Sequence, residues 1–136
     1  MLYLKSILDQ LAEPGNVNIS VPEFFNFGFD VVDTWAAEEN MTAFVSVNRT
    51  ATAIEYHSFA ELSHASNRFA NALQTLGVEK GACAIVILPR VPAWYEVVIG
   101  CIKAGVVAMP GTNLLTARDI EYRINHSAAS LAIVSS

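Results

Sequence analysis

LPRVPAWYEVVIGCIKAGVVAMPGTNLLTARDIEYR, residues Leu88 to Arg123, is the stretch whose reading decides the fold. Leu88 closes an apolar run, and Pro89, Arg90 and Pro92 then force a turn. Proline suits the first turn of a helix, where its missing amide costs nothing, so a helix is expected from Pro92 to Lys103. Gly105 supplies the left-handed stop. Val106 to Met109 makes a short strand, and Pro110-Gly111-Thr112-Asn113 a loop. Thr116-Ala117-Arg118-Asp119 is a capping box, in which hydroxyl and carboxylate satisfy each other's exposed amides. It opens a helix to about Ser127.

Working outward, Ala82 to Leu88 is continuously apolar, the mark of a parallel strand covered on both faces. Leu131 to Val134 reads as a last strand. Upstream, Ser58-Phe59-Ala60-Glu61 is a second capping box. It starts a helix with Phe59, Leu62, Phe69, Leu73 and Leu76 on one face, and Gly77 ends it. Thr42 to Val47 and Thr52 to His57 form a hairpin around Asn48-Arg49-Thr50-Ala51. The alternation of helix and strand after the hairpin predicts an α/β fold, a partial doubly wound parallel sheet with an N-terminal β-hairpin.

Phe24, Phe25, Phe27 and Phe29 lead into an expected helix from about Phe29 to Glu39. Val31, Val32, Trp35 and Ala36 share one stripe of it. That stripe reads as an anchor packing the N-terminal arm on the core, with a ligand role as the alternative. Met1 to Gln10 has a short helical pattern that Glu13-Pro14-Gly15-Asn16 ends. Residues 1–23 are taken as an arm and 24–136 as one domain portion. There is no internal repeat and no low-complexity linker.

Hydrophobic residues make up 53% of the 136 and charged residues 15%, against about a quarter charged in an ordinary domain. Either a face is meant to be buried against further protein or the α/β core is tightly wound. The net charge of -5 comes from 13 acidic and 8 scattered basic residues, which argues against a nucleic-acid footprint. Cys83 and Cys101 fall in expected buried elements with no second pair at metal spacing, as core thiols in a reducing compartment do. The first twenty residues look like neither a signal nor a transit peptide. The cytoplasm is the expected location, with the mitochondrion left open. Pro89, Arg90, Pro92, Glu96 and Lys103 interrupt the apolar stretch, so no transmembrane segment is expected. The sequons at Asn18, Asn40, Asn48 and Asn125 read as coincidences of composition.

The sequence shows little overt chemistry. It has no Gly-rich phosphate loop, no G-x-S-x-G elbow and no His-x-x-x-His pair. Thr112 and Asn113 sit where open α/β sheets bind ligands, though Pro-Gly with small polar residues is also an ordinary turn. His57 ends a strand, His64 lies on the polar side of a helix, and His126 lies near a helix C-terminus, where positive charge is favoured. Arg90 is the most site-like charge, with a salt bridge to Glu96 or to a neighbouring helix as its structural alternative.

Tyr56-His57-Ser58-Phe59-Ala60-Glu61-Leu62 resembles the first core motif of the adenylate-forming superfamily. The run from Cys101 to Pro110 is similar to its second. Leu88 to Glu96, Pro110 to Thr116, Asp119-Ile120, and Phe25-Asn26-Phe27 leading to Asp33-Thr34-Trp35-Ala36 resemble the medium-chain group of its AMP-forming acyl-CoA synthetases. The likeness runs from about Phe24 to the chain end. It implies a two-step ligase: a carboxylic acid and ATP give an acyl-adenylate and pyrophosphate, and CoA then displaces AMP. It also implies ATP, Mg and CoA for a full-length enzyme, none expected to bind this stretch well. The family's Ser/Thr/Gly-rich loop and its lysine, its nucleotide motifs, its hinge and its catalytic lysine match nothing here. No catalytic, cofactor-binding or metal-ligating residue is therefore assigned. The expectation is an N-terminal fragment, inactive alone, whose apolar face packs against a missing remainder. It could arise as a truncated gene model, a pseudogene remnant or a dissected piece. The rivals are a non-catalytic interaction module on the same fold, and a different adenylate-forming enzyme acting on an aryl or amino acid.

Overall fold

Ala84, Ile85 and Val86 are fully buried in the middle of one strand, and the fold is arranged around them. The structure is a computed structural model that describes residues 22–135; the helical pattern of Met1 to Gln10 lies outside them. The strand, β3 (Cys83–Ile87), is central in a parallel sheet that also contains β4 (Val107–Pro110) and β5 (Leu131–Val134), in the order β4-β3-β5. Cys83 pairs with Val107 and Ala84 with Leu131. An antiparallel hairpin, β1 (Thr42–Val47) and β2 (Ile54–Ser58), stands apart from it, with a bulge between Thr42 and Phe44. Asn48 closes the hairpin turn: its Oδ1 accepts from the amides of Thr52 and Ala53 at 2.8 and 3.1 Å.

Helices α1 (Phe59–Thr75), α2 (Pro92–Ala104) and α3 (Ala117–Ser127) make the connections. The step from β3 to β4 goes one way across the sheet and the step from β4 to β5 goes back past β3. Because parallel crossovers are right-handed, α2 and α3 lie on opposite faces. That is double winding, as the alternation of elements predicts. The main core joins Leu73 of α1 and Val97 and Cys101 of α2 to Ala84, Val86 and Val106. Each buried leucine or valine among them contributes about 1.5–3 kcal/mol. A second cluster, Val32, Leu62 and Ile99, ties the N-terminal segment to α1 and α2, with Ala43 and Phe44 of the hairpin against it.

The local signals fold as written. Both capping boxes form, at Ser58 with Glu61 and at Thr116 with Asp119. Gly77 and Gly105 take φ of 73° and 69°. After each, the next amide reaches back five residues, Val78 N–H to the Leu73 carbonyl and Val106 N–H to the Cys101 carbonyl, which satisfies helix ends that water would otherwise have to solvate.

Three expectations need correction. The helix expected from Phe29 to Glu39 is a π-helical segment, Gly28–Asp33, followed by one α-turn, Thr34–Ala36. The wider winding lets the consecutive residues Val31 and Val32 both face inward. Leu76, expected on the core face of α1, is the C-cap and is 73% exposed; the turn that starts there carries it off the stripe. Cys83 is only half-buried, whereas Cys101 is buried as expected.

Candidate functional site

A concavity lies where the carboxyl ends of β3 and β4 face the hairpin. It is an open cleft of about 830 Å3. Its floor is Leu88, Pro89, Arg90 and the N-terminal turn of α2; its walls are β1 from Phe44 to Val47 and the loop Pro110–Asn113. The sequence forces this arrangement locally. Pro89 and Pro92 turn the chain as it leaves β3, and Val91, in extended conformation, caps α2 without any side-chain hydrogen bond.

Aromatic contacts hold the hairpin wall to α2. Phe44 stacks on His57 at 4.5 Å and on Tyr95 at 4.6 Å, and Trp94 meets Tyr95 edge-on at 5.2 Å. His57 Nε2 lies 2.9 Å from Ser46 Oγ and 3.9 Å from Glu55 Oε2. Serine, histidine and carboxylate adjoin here, but both oxygens meet the same ring nitrogen. A relay needs the acid on the other nitrogen, so His57 is a hairpin-packing residue. His64 is exposed on α1, and His126 stacks on Tyr122 of α3 at 5.6 Å, away from the cleft.

Of the residues read as site-like, the structure brings Arg90, Thr112 and Asn113 to one cleft. Arg90 is exposed, and among the described residues it forms no salt bridge with Glu96. Thr112 Oγ1 accepts from the Leu114 amide at 3.3 Å, so the loop is partly an ordinary turn. The cleft can present a guanidinium, hydroxyls, an amide and aromatic faces. Its hydroxyl–imidazole contact, Ser46 with His57, has the Glu55 carboxylate on the same ring nitrogen rather than the other. Among the described residues no three His, Cys, Asp or Glu side chains converge as metal ligands would.

Reading the sequence missed the polar centre of the molecule. Lys103, inside the apolar run of α2, has a side chain 1% exposed. Its Nζ donates to Asp33 Oδ1 at 2.5 Å and to Asn67 Oδ1 at 2.8 Å. Ser63 Oγ donates to the same Asp33 oxygen at 2.6 Å. A lone cation in a buried helix stripe needs a partner, and that rule would have prompted a search for one. Elsewhere, the Cys101 thiol is pushed up to about 11 by burial, which makes it inert rather than nucleophilic. The Glu61 carboxyl is held below its usual range by its hydrogen bonds with the Ser58 amide and hydroxyl, and Asp119 by those with Thr116.

Comparison with known proteins places this geometry. A sequence model described as AMP-binding enzyme matches residues 32–136. The chain is 38% identical over 124 residues to the mitochondrial acyl-coenzyme A synthetase ACSM3 of Homo sapiens, which covers 86% of this chain and 21% of that protein. It is 40% identical over 121 residues to the mitochondrial acyl-coenzyme A synthetase ACSM1 of Mus musculus, covering 84% and 21%. The chain thus spans about a fifth of the length of these relatives. Among solved structures it superposes on a benzoate CoA ligase from Burkholderia xenovorans LB400 with TM-score 0.68 and 28% identity, over 83% of this chain and 22% of that one. On the acyl-CoA synthetase of Brucella canis the TM-score is 0.77 over 97% of this chain and 24% of that one; at 22% identity this is a likeness of fold.

Proposed function

The chain belongs to the AMP-binding enzyme family, in its acyl-CoA synthetase branch, and from that premise we propose that it is the opening part of the large domain of an AMP-forming acyl-CoA ligase of the medium-chain group. The observation that carries this reading is the 38% identity over 124 residues to a relative named an acyl-coenzyme A synthetase. That span includes both core motifs and the cleft-forming turns.

In the complete enzyme a carboxylate oxygen bonds to the α-phosphorus of ATP as the bond to pyrophosphate breaks. The thiol sulfur of CoA then bonds to the acyl carbon as AMP leaves. Mg would neutralise phosphate charge when bound; among the described residues no three His, Cys, Asp or Glu side chains converge to hold it. What this stretch contributes is framework. The capping boxes and left-handed glycines fix α1, α2 and α3, and these hold the β3 and β4 carboxyl ends and the Pro110–Asn113 loop in place. We assign the reacting groups to parts of the ligase outside this stretch.

The surface supports that division. Among the described residues the order β4-β3-β5 leaves both outer strands with one partner each, and Val107 and Val134 on them are exposed, as are Val45, Val47 and Leu114 around the cleft. Open edges of this kind call for a neighbour, and the remainder of the ligase is the neighbour we assign. The free thiols of Cys83 and Cys101 support a reducing compartment, cytoplasm or mitochondrial matrix. No helix among the described residues is long and apolar enough to cross a membrane.

Incubating the purified chain with Mg-ATP, CoA and octanoate is the test. No release of AMP is expected. Acid-dependent turnover would overturn the assignment of the chemistry to groups outside this stretch.

A further inference from the structure

The segment Asn26–Ala36 packs on α1 and α2 through two valines that stand between carboxylates, Asp30 and Asp33. Val31 and Val32 are buried, while Phe25, Phe27 and Phe29 stand 50%, 44% and 50% exposed. A slip of one residue would bring Asp30 or Asp33 to one of the two buried positions, and a slip of two would do the same beside Phe29 or Thr34. The polar contacts admit a single register. Asn26 Nδ2 donates to the Ile102 carbonyl at 2.8 Å, and Asn26 Oδ1 accepts from the Gly28 amide at 2.9 Å. Asp33 meets Lys103 at the other end of the segment. Between them Gly28 crosses the lysine stem so closely that a Cβ there would lie 2.4 Å from Lys103 Cγ. A slip that brought Phe27 or Phe29 to that crossing would collide with the stem.

We propose that Lys103 is the key of a register latch: its stem admits only Gly28, its ammonium captures Asp33, and together they select the π-helical winding of Gly28–Asp33. The winding follows from the two fixed ends. With Asn26 tied to α2 and Asp33 tied to Lys103, the extra residue per turn brings Val31 and Val32 inward together. Burial of the two valines favours this register and the latch enforces it, a use of buried ion pairs that is known from other systems. Asn67 and Ser63 complete the site from α1, so the latch joins three elements far apart in sequence.

Amide hydrogen exchange on the full 136-residue chain tests this. In Lys103→Met the amides of Val31 to Asp33 should exchange on the order of 100-fold faster or more, the scale of breaking a buried pair. The amides of Ala84 to Val86 should stay protected. Asp33→Asn and Gly28→Ala should give the same pattern by milder routes, so a Lys103→Met chain too unstable to measure still leaves a decision. A stem-crossing latch also predicts that Gly28→Ala causes no further acceleration once Lys103→Ala has removed the stem. The proposal is overturned if the segment exchanges at wild-type rates in these variants. It is equally overturned if segment and β3 loosen together, or if Gly28→Ala acts as strongly without the lysine stem as with it.

Discussion

Replacing Gly100 with alanine sets two magnitudes against each other. Gly100 is buried in α2 where the helix crosses α1, and a Cβ there would lie 2.9 Å from the Ser66 carbonyl oxygen, 2.8 Å from Phe69 Cδ1 and 3.0 Å from Phe69 Cβ. On propensity alone the change is favourable by about 1 kcal/mol, because alanine loses less backbone entropy in a helix interior. Overpacking a tight interface costs about 1–3 kcal/mol. The upper part of that range applies, since one of the atoms in the way is a backbone oxygen that cannot rotate aside. The net expectation is a loss of about 1–2 kcal/mol, which in a domain of this size lowers the melting temperature by roughly 4–8 °C. Thermal and urea melts followed by circular dichroism measure it. Trimming Phe69 to leucine in the variant should restore only part of the loss, because the Ser66 oxygen remains. A Gly100→Ala chain that melts at or above the wild-type temperature would refute the close-packing argument.

Three further outcomes are expected. Ser58→Ala removes the hydroxyl that donates to the Glu61 carboxylate and accepts from the Glu61 amide, leaving the backbone amide at position 58 in place, and should cost about 1 kcal/mol in a urea titration, as loss of an N-cap does. Glu61 and Asp119 are depressed in the folded chain, so the stability they contribute is present above the ordinary carboxylate range and fades as pH falls through the depressed values; a melting series on the acid side should show a smaller decline in Ser58→Ala than in wild type. Cys101, buried and pushed up to about 11, should resist iodoacetamide at pH 8 in the native chain and react fully in urea, as mass spectrometry of tryptic peptides would record.

How much of this was legible depends on the distance over which each cause acts. Capping boxes and stop glycines act within four residues, and the ends of α1 and α3 stand where Ser58, Gly77 and Thr116 put them. The apolar run at β3 announced a central parallel strand. Leu76 was misplaced because periodicity says nothing of where a cap interrupts it. The π winding and the Lys103–Asp33 pair were hidden for a stronger reason. The partners are 70 residues apart, and neither carries a local mark of the other. The cleft was foreshadowed only as the carboxyl ends of two strands. That the hairpin supplies its other wall, through Phe44 on Tyr95, follows from a tertiary contact that no short-range signal encodes.

The central claim is that this stretch is interchangeable framework for an acyl-CoA ligase. Its most direct test is a chimera in which residues 24–136 replace the matching segment of human ACSM3, assayed for AMP release that depends on both carboxylic acid and CoA. The account predicts a folded chimera that retains such turnover. A chimera that folds as cooperatively as its parent yet makes no acyl-CoA would contradict it.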